Sequence, residues 1–354
     1  MQKFLVIQTA FIGDVVLATG IIEKLHAHYP DARIDFLLRK GNEALLTAHP
    51  FLHTVLIWDK KQNKLRNLWK MGICIRKARY DKVINVQRFA ATGLLTVFSG
   101  ARETIGFDKN PLSRFFSKRI RHVVSYDIAA GKGSVTGAGS DGQSGAGRSG
   151  VAPAHEIDRN QLLIKDFTDA VPAKPRLYPS AADYNKVRPY KGAPYITVSP
   201  ASVWFTKQYP SDKWIGFLDK VPPSYAIYLL GAPSDAGLCE GIRSGTTHPA
   251  VTNLSGKLSF LQSAALMQDS AMNYVNDSAP MHFASAVDAP VTAVYCSTIP
   301  AFGFGPLSDK RFIVEVGETL DCRPCGLHGY KACPKGHFNC AMQIRDEQLL
   351  DTLQ

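Results

Sequence analysis

Two runs of alternating strand and helix patterns, each opening strand, loop, helix, leave this chain few folds to choose from. The first begins with a strand pattern at residues 4–8 and an amphipathic helix pattern at 15–29, closed by Pro30. It continues with a strand at 33–38, a helix near 41–47, a strand at 54–58, a helix at 63–78, a strand at 82–86 and a helix at 90–99. The second begins with a strand at 195–199, then a helix at 212–220, a strand at 225–230, a helix after Pro233, a strand near 251–254 and a helix at 259–267. Alternation of this kind predicts parallel sheets covered on both faces. The expected class is therefore α/β, with two Rossmann-like lobes facing each other across a cleft.

The 354 residues suffice for two domains, each burying its own core. The lobes are expected over 1–175 and 190–340, with a C-terminal helix in 341–354. Between 129 and 154 the composition collapses to Gly, Ser and Ala without hydrophobic periodicity, which predicts a flexible insertion. A helix starting at His155 is expected to run to about residue 170, and Pro172, Pro175 and Pro179 mark the linker.

No run reaches the roughly 18 apolar residues that a membrane-spanning helix needs. Residues 4–12 imitate a signal peptide, but Gly13-Asp14 interrupts them and no small-residue cleavage site follows. They read as a first core strand, so a cytoplasmic protein is expected. The balance of 41 Lys and Arg against 30 Asp and Glu, a formal charge of +11, favours an anionic partner. Nucleic acid, an acidic bilayer face and a phosphorylated glycolipid all qualify. Neither a recognition helix nor an interleaved aromatic stripe accompanies the charge, which argues against nucleic acid.

Chemistry-bearing residues collect in the loops that follow strands. Gln8 to Asp14 joins the first strand to the first helix; Gly13 permits a tight turn, and Asp14 is either an N-cap or a cleft carboxylate. The loop from Ser199 to Pro210 carries Ser202, Thr206 and Lys207, hydroxyls and a cation suited to a diphosphate or, equally, to a solvated surface. Asp235 ends a strand-to-helix turn where it can meet ribose hydroxyls or cap the helix. Residues 272–275 read as a strand, Asn276-Asp277-Ser278 as a helix start and 281–287 as a short buried helix with another strand following. The unpaired N–H groups and partial positive charge of that helix start suit a phosphate. A capped core helix with one satisfied histidine is the alternative. In the run 155–160, His155 and Arg159 share a helix face and suit a domain-ordering role.

Two basic clusters, Lys60, Lys61, Lys64 and Arg66, then Arg114, Lys118, Arg119 and Arg121, fall in the first lobe as solvated faces or phosphate contacts. Near the C-terminus Cys322, Cys325, Cys333 and Cys340 crowd together, with His328 and His337 nearby. The spacing admits a tetrahedral metal site, free thiols or a disulfide.

Four of these segments, 7–14, 155–160, 199–210 and 275–306, resemble in order the motifs of glycosyltransferase family nine, the ADP-heptose:lipopolysaccharide heptosyltransferases. The family pattern Asn-Asp-Thr-Gly-Pro-x-His-x-Ala-x-Ala is met by Asn276, Asp277, Ser278, Pro280, His282, Ala284 and Ala286, with Ala279 where Gly is common. A Pro-Gly-Ala-Ser-x-x-x-x-Lys-x-Trp-Pro motif is met by Ala201, Ser202, Lys207 and Pro210, with Pro200 and Tyr209 as departures. A His-Glu-x-x-Arg-Asn element is met by His155, Glu156, Arg159 and Asn160.

The resemblance implies the GT-B glycosyltransferase fold and inverting transfer of heptose from ADP-heptose to the inner core of lipopolysaccharide. It implies Asp14 as catalytic base and Lys207 at the donor's phosphates. Donor binding falls to Ser202, Thr206, Lys207, Asp235, Asp277, Ser278, Ala279, Pro280 and His282. The first lobe would hold the phosphorylated lipid-linked acceptor, with Lys61, Lys64, Arg119 and Arg121 as contacts. No cofactor is required, although a structural zinc or iron at the four cysteines is an expectation. Peripheral contact with the cytoplasmic face of the inner membrane follows from the acceptor. The alternatives are another nucleotide sugar or acceptor within the family, and a noncatalytic module binding anionic lipid or nucleic acid. A nucleotide-dependent oxidoreductase is disfavoured, because the first loop lacks Gly-x-Gly-x-x-Gly.

Overall fold

The computed structural model describes residues 1–123 and 155–353, so the expected insertion at 129–154 lies outside the described residues. The first lobe runs β1 (Lys3–Ile7), α1 (Ile12–His28), β2 (Arg33–Arg39), β3 (Thr54–Trp58), α2 (Lys64–Ala78), β4 (Lys82–Asn85), α3 (Ala90–Val97), β5 (Glu103–Phe107) and β6 (Lys118–Ile120). Two short helices, α4 (Glu156–Leu162) and α5 (Ala181–Val187), precede the second lobe. That lobe runs β7 (Tyr195–Ser199), α6 (Ser211–Leu218), β8 (Ala226–Leu229), α7 (Ala236–Gly245), β9 (Val251–Asn253), α8 (Phe260–Gln268), β10 (Met272–Asn276), α9 (Ala279–Ala286), β11 (Val291–Tyr295) and β12 (Arg311–Glu315). Helices α10 (Asn339–Met342) and α11 (Asp346–Leu350) finish the chain.

Among the described residues every strand pairing is parallel, and the two sheets share one topology. The orders are β3-β2-β1-β4-β5-β6 and β12-β11-β10-β7-β8-β9. Each is the doubly wound Rossmann arrangement, whose strand order reverses between its first and fourth strands. At that reversal adjacent loops diverge to opposite faces and leave a crevice at the carboxyl ends. The switch points therefore lie between β1 and β4 in the first lobe and between β7 and β10 in the second.

Each lobe buries a core of its own, and a third core is shared between them. One apolar cluster lies under each sheet's outer helices, around Trp58, Ile75 and Leu95 in the first lobe and around Trp214, Phe217 and Tyr274 in the second. The largest cluster is shared, running from Phe4, Val15 and Val16 through Ile164 and Leu177 to Leu261, Met281 and Phe283. Helices α1 and α9 pack against each other across the junction, so the inner faces of both sheets bury one continuous surface. The linker is held down as well: Arg176 N–H donates to Thr19 Oγ1 (2.9 Å) and Leu177 N–H to the Ala286 carbonyl (3.1 Å).

Other sequence boundaries shift for local reasons. The helix near 41–47 is one 3₁₀ turn, Glu43–Leu45. The helix expected to reach residue 170 ends at Leu162, where the N–H groups of Leu163 and Ile164 turn to i−3 carbonyls and bury both side chains. The C-terminal helix is two short ones. Strands β5, β6 and β12 were not foreseen, because they are short, carry charged residues, and in β6 and β12 occupy sheet edges.

Candidate active site between the lobes

The residues singled out in sequence arrive at the two switch points. Helix α1, reached by the loop after β1, carries Asp14, and Arg88 follows β4. The loop after β7 carries Ser202, Thr206 and Lys207, while Asp277 and α9 follow β10. Each pair of loops comes from adjacent strands in its sheet.

Asp14 is not the N-cap. Phe11 is, in extended conformation, and Asp14 is the third residue of α1, where its carboxyl faces the backbone N–H groups of Phe11 and Asp14 itself. Its pKa is pushed up to about 6, first by burial and then by the charge of Glu156; those N–H groups and Arg88 act in the opposite direction. A carboxylate poised near neutrality in a cleft suits a general base. Arg88 is exposed, and sequence reasoning missed it; its position directly after β4 was the available signal.

In the second lobe Lys207 ends a 3₁₀ turn, Phe205–Lys207, and its ammonium pairs with Asp277 Oδ2 at 2.6 Å. Thr298 Oγ1 donates to the same oxygen at 2.7 Å. Asn276 is a strut between the loops: its Nδ2 donates to the Pro200 carbonyl (2.7 Å) and its Oδ1 accepts from Tyr209 N–H (3.0 Å). Thr206 departs from the ligand role given to it. It is buried against the cysteine-rich segment, accepting from Tyr330 N–H (2.8 Å) and Ser297 Oγ (3.0 Å).

A cavity of about 630 Å³ lies between the lobes beside these groups. Ser202, Asp235, Ser278, Ala279 and Pro280 line it, with Ile12 and Ala44 from the first lobe. Leu230, Leu258, Phe260, Met267 and Phe283 give it an apolar end. Asp235 is also the N-cap of α7, and its Oδ2 accepts from Ala232 N–H at 2.8 Å. Ser278 is the N-cap of α9, and the first turn of that helix includes Pro280, so one orphan N–H is lacking there. Asp14, Lys207, Asp277 and His282 are not on this wall; they sit next to it through Ile12 and Ser278.

The lobes touch at His282. It is buried, its Nδ1 has no hydrogen-bond partner, and a β-carbon built on Gly13 would lie 2.7 Å from its Cδ2. Burial first, then repulsion from His155 and Lys207, pushes its pKa down to about 3, while Asp277 acts the other way. The ring is thus neutral at physiological pH. The 155–160 element spans the junction as expected of a domain-ordering segment. His155 Nε2 donates to the Gly305 carbonyl (3.0 Å), Glu156 N–H to the Gly303 carbonyl (2.8 Å) and Arg159 Nη2 to the Phe302 carbonyl (3.1 Å). Arg159 Nε also pairs with Glu156 at 2.7 Å, holding that carboxylate near Asp14.

The two basic clusters are not brought together. Lys61 and Lys64 follow β3 and Arg119 lies in β6, with Arg121 just beyond it; these strands are opposite edges of the sheet, five strand spacings or about 24 Å apart. All four side chains are exposed. Lys60 is spent internally, donating to the Thr9 carbonyl (3.0 Å) and Oγ1 (2.8 Å), and burial pushes its pKa down to about 8.

Cys322, Cys325, Cys333 and Cys340 line one cavity of about 210 Å³ with His337 and Tyr330. Burial and the neighbouring thiols push the Cys340 thiol up to about 12. Among the described residues no group of three or more His, Cys, Asp or Glu stands in metal-holding geometry, while the four thiols that the sequence offered to a zinc or iron share this one cavity. The segment also packs against the loop that carries Thr206 and Lys207. Gly329 has φ +75°, and a β-carbon there would lie 2.8 Å from Thr206 Oγ1 and 3.1 Å from Lys207 Cγ.

Two Rossmann-type lobes with a cleft carboxylate in one and a cation and a helix start in the other have the arrangement of a GT-B glycosyltransferase. Residues 148–329 match the family model described as glycosyltransferase family 9 (heptosyltransferase), and the chain belongs to that family. It is similar to lipopolysaccharide heptosyltransferase 3 of Escherichia coli, 26% identical over 81% of this chain and 82% of the relative. Lipooligosaccharide heptosyltransferase 2 of Haemophilus influenzae is 24% identical over 99% of this chain and 98% of its own. The fold is also that of the solved E. coli ADP-heptose lps heptosyltransferase II, with TM-score 0.75 at 20% identity, covering 99% and 97% of the two chains.

Proposed function

We propose that this glycosyltransferase moves a heptose from ADP-heptose to the phosphorylated inner core of lipopolysaccharide, in one displacement with inversion at the anomeric carbon. Asp14 takes the proton of the acceptor hydroxyl as that oxygen attacks, and ADP leaves. The contact of Gly13 with His282 carries this reading, because it sets the turn bearing Asp14 against the helix whose first turn borders the cavity. Names of the relatives supply the sugar and the acceptor.

The apolar end of the cavity takes the base, Asp235 the ribose, and Ser202 with the start of α9 the diphosphate. Lys207 balances the charge that grows on the leaving group, and its pairing with Asp277 holds it in place. Lys61 and Lys64 at one edge, and Arg119 and Arg121 at the other, bracket the acceptor rather than forming one patch. The displacement requires no metal or organic cofactor, and the cysteine segment serves as a brace for Lys207. No helix among the described residues is long and apolar enough to cross a membrane. The lipid-borne acceptor then places the enzyme at the cytoplasmic face of the inner membrane, held peripherally.

Thermal shift against a panel of nucleotide sugars, followed by transfer to heptose-deficient core, tests the assignment. Stabilisation by ADP-heptose of about 2.7 kcal/mol at a hundredfold excess over Kd is expected. Equal stabilisation by UDP- and GDP-sugars, or no transfer to the core, would refute it.

A further inference from the structure

The transfer reaction leaves one surface of the first lobe without a use. Helix α2 leans on its sheet through Leu68, Met71, Ile75 and Ala78. Its outer side is apolar too: Leu65 is 80% exposed, Trp69 73% and Ile73 40%. Four residues apart, these three fall within about 80° of the helix circumference, and the exposed Arg66, Lys70 and Lys77 occupy about the next 60°. From residue 60 to residue 79 the chain has eight Lys and Arg and no Asp or Glu. Arg76 donates to the carbonyl of Phe98 (3.3 Å), itself 60% exposed, so the apolar surface continues onto the end of α3.

We propose that this face of α2 rests on an anionic lipid bilayer, with Leu65, Trp69 and Ile73 entering the headgroup boundary and the flanking cations meeting lipid phosphates. The inference deepens the peripheral placement proposed above and rests on it for its purpose. Charge complementarity selects the occupant. An apolar stripe bordered by Arg66, Lys70 and Lys77, with Arg76 set among its apolar side chains and no carboxylate beside it, has the character of an interfacial helix. Tryptophan, apolar with one polar N–H, suits the boundary between headgroups and chains. A second copy of the chain docked through the same face would set Arg66, Lys70 and Lys77 against the same three cations. The same helix begins at Lys64, three residues after Lys61, so docking here would bring the proposed acceptor contacts next to the lipid that carries the acceptor.

Flotation of the full chain tests this, using vesicles of phosphatidylcholine alone and of phosphatidylcholine with about 30% phosphatidylglycerol. The wild type is expected to float with the anionic vesicles only, and less as salt rises. Leu65→Ser with Trp69→Ser should weaken that binding at least about tenfold, while turnover on a deacylated, water-soluble acceptor stays unchanged. The proposal is overturned if the double variant floats as the wild type does, or if the wild type ignores anionic vesicles. A wild-type dimer in sedimentation velocity that the double variant abolishes would also overturn it, since a second copy would then cover the face. Vesicle binding that persists without transfer to the deacylated acceptor would support the docking face and defeat the transfer reading.

Discussion

Gly13 of the first lobe and His282 of the second meet with no room for a methyl group: a β-carbon on Gly13 would stand 2.7 Å from the histidine's Cδ2. Asp14 is the next residue, so the same close approach fixes how near the cleft carboxylate comes to the donor side. The side chain that glycine lacks sets the spacing between the lobes.

Gly13→Ala should therefore uncouple them. Overpacking at such a contact costs about 1–3 kcal/mol, and a displaced base costs at least about tenfold in turnover. His282→Ala in the same chain removes the obstruction. A double-mutant cycle checks the point, because equal losses with and without the imidazole would show that the contact does not matter.

Asp14 sets the acidic limb of activity. With its pKa near 6, kcat/KM should fall as pH drops through that value. Asp14→Asn should reduce kcat by about 10²- to 10⁴-fold. Because the folded carboxyl binds its proton more tightly than the unfolded one, its contribution to stability is lost as pH rises from about 4 to about 6. The Asn variant should then melt no lower than the wild type at pH 7, which calorimetry measures.

Glu156→Gln is expected to move that limb to lower pH with the fold intact, since the negative charge raising the Asp14 pKa is gone while a side-chain oxygen still faces Arg159. A pH profile identical to the wild type's would remove Glu156 from the tuning of the base.

Lys207→Met leaves Asp277 as a nearly buried carboxylate with Thr298 as its remaining donor, and should cost up to about 3 kcal/mol as well as turnover. Adding Asp277→Asn should restore the melting temperature but not the rate. Recovery of both would mean that the ammonium does no work on the leaving group.

Gly329→Ala places a methyl against Thr206 and Lys207 at a φ of +75°. Donor affinity should fall while acceptor affinity holds, as read by calorimetric titration with ADP. Unchanged donor binding would deny the cysteine segment its bracing role.

The amino-acid order alone settled the lobes. Strand patterns such as 4–8 and 272–275, helix patterns between them and punctuation at Pro30 and Pro172 are local properties, written in side-chain period and backbone preference. Edge position alone does not hide a strand, since β3 and β9 are edges as well and are legible; β6 and β12 escape because charged residues, Lys118 and Arg119 or Arg311 and Glu315, fill much of them. Loop motifs likewise pointed to Asp14, Lys207 and Asp277, although their local spacing carries no distances. Tertiary structure decided the rest: that Lys207 is paired, that Thr206 is a strut, that the basic clusters stand on opposite edges, and that one core is shared between the lobes. Those outcomes depend on which loops the sheet order makes neighbours and on how closely α1 meets α9. Such contacts join residues from tens to hundreds of positions apart, and no periodicity along the chain encodes them.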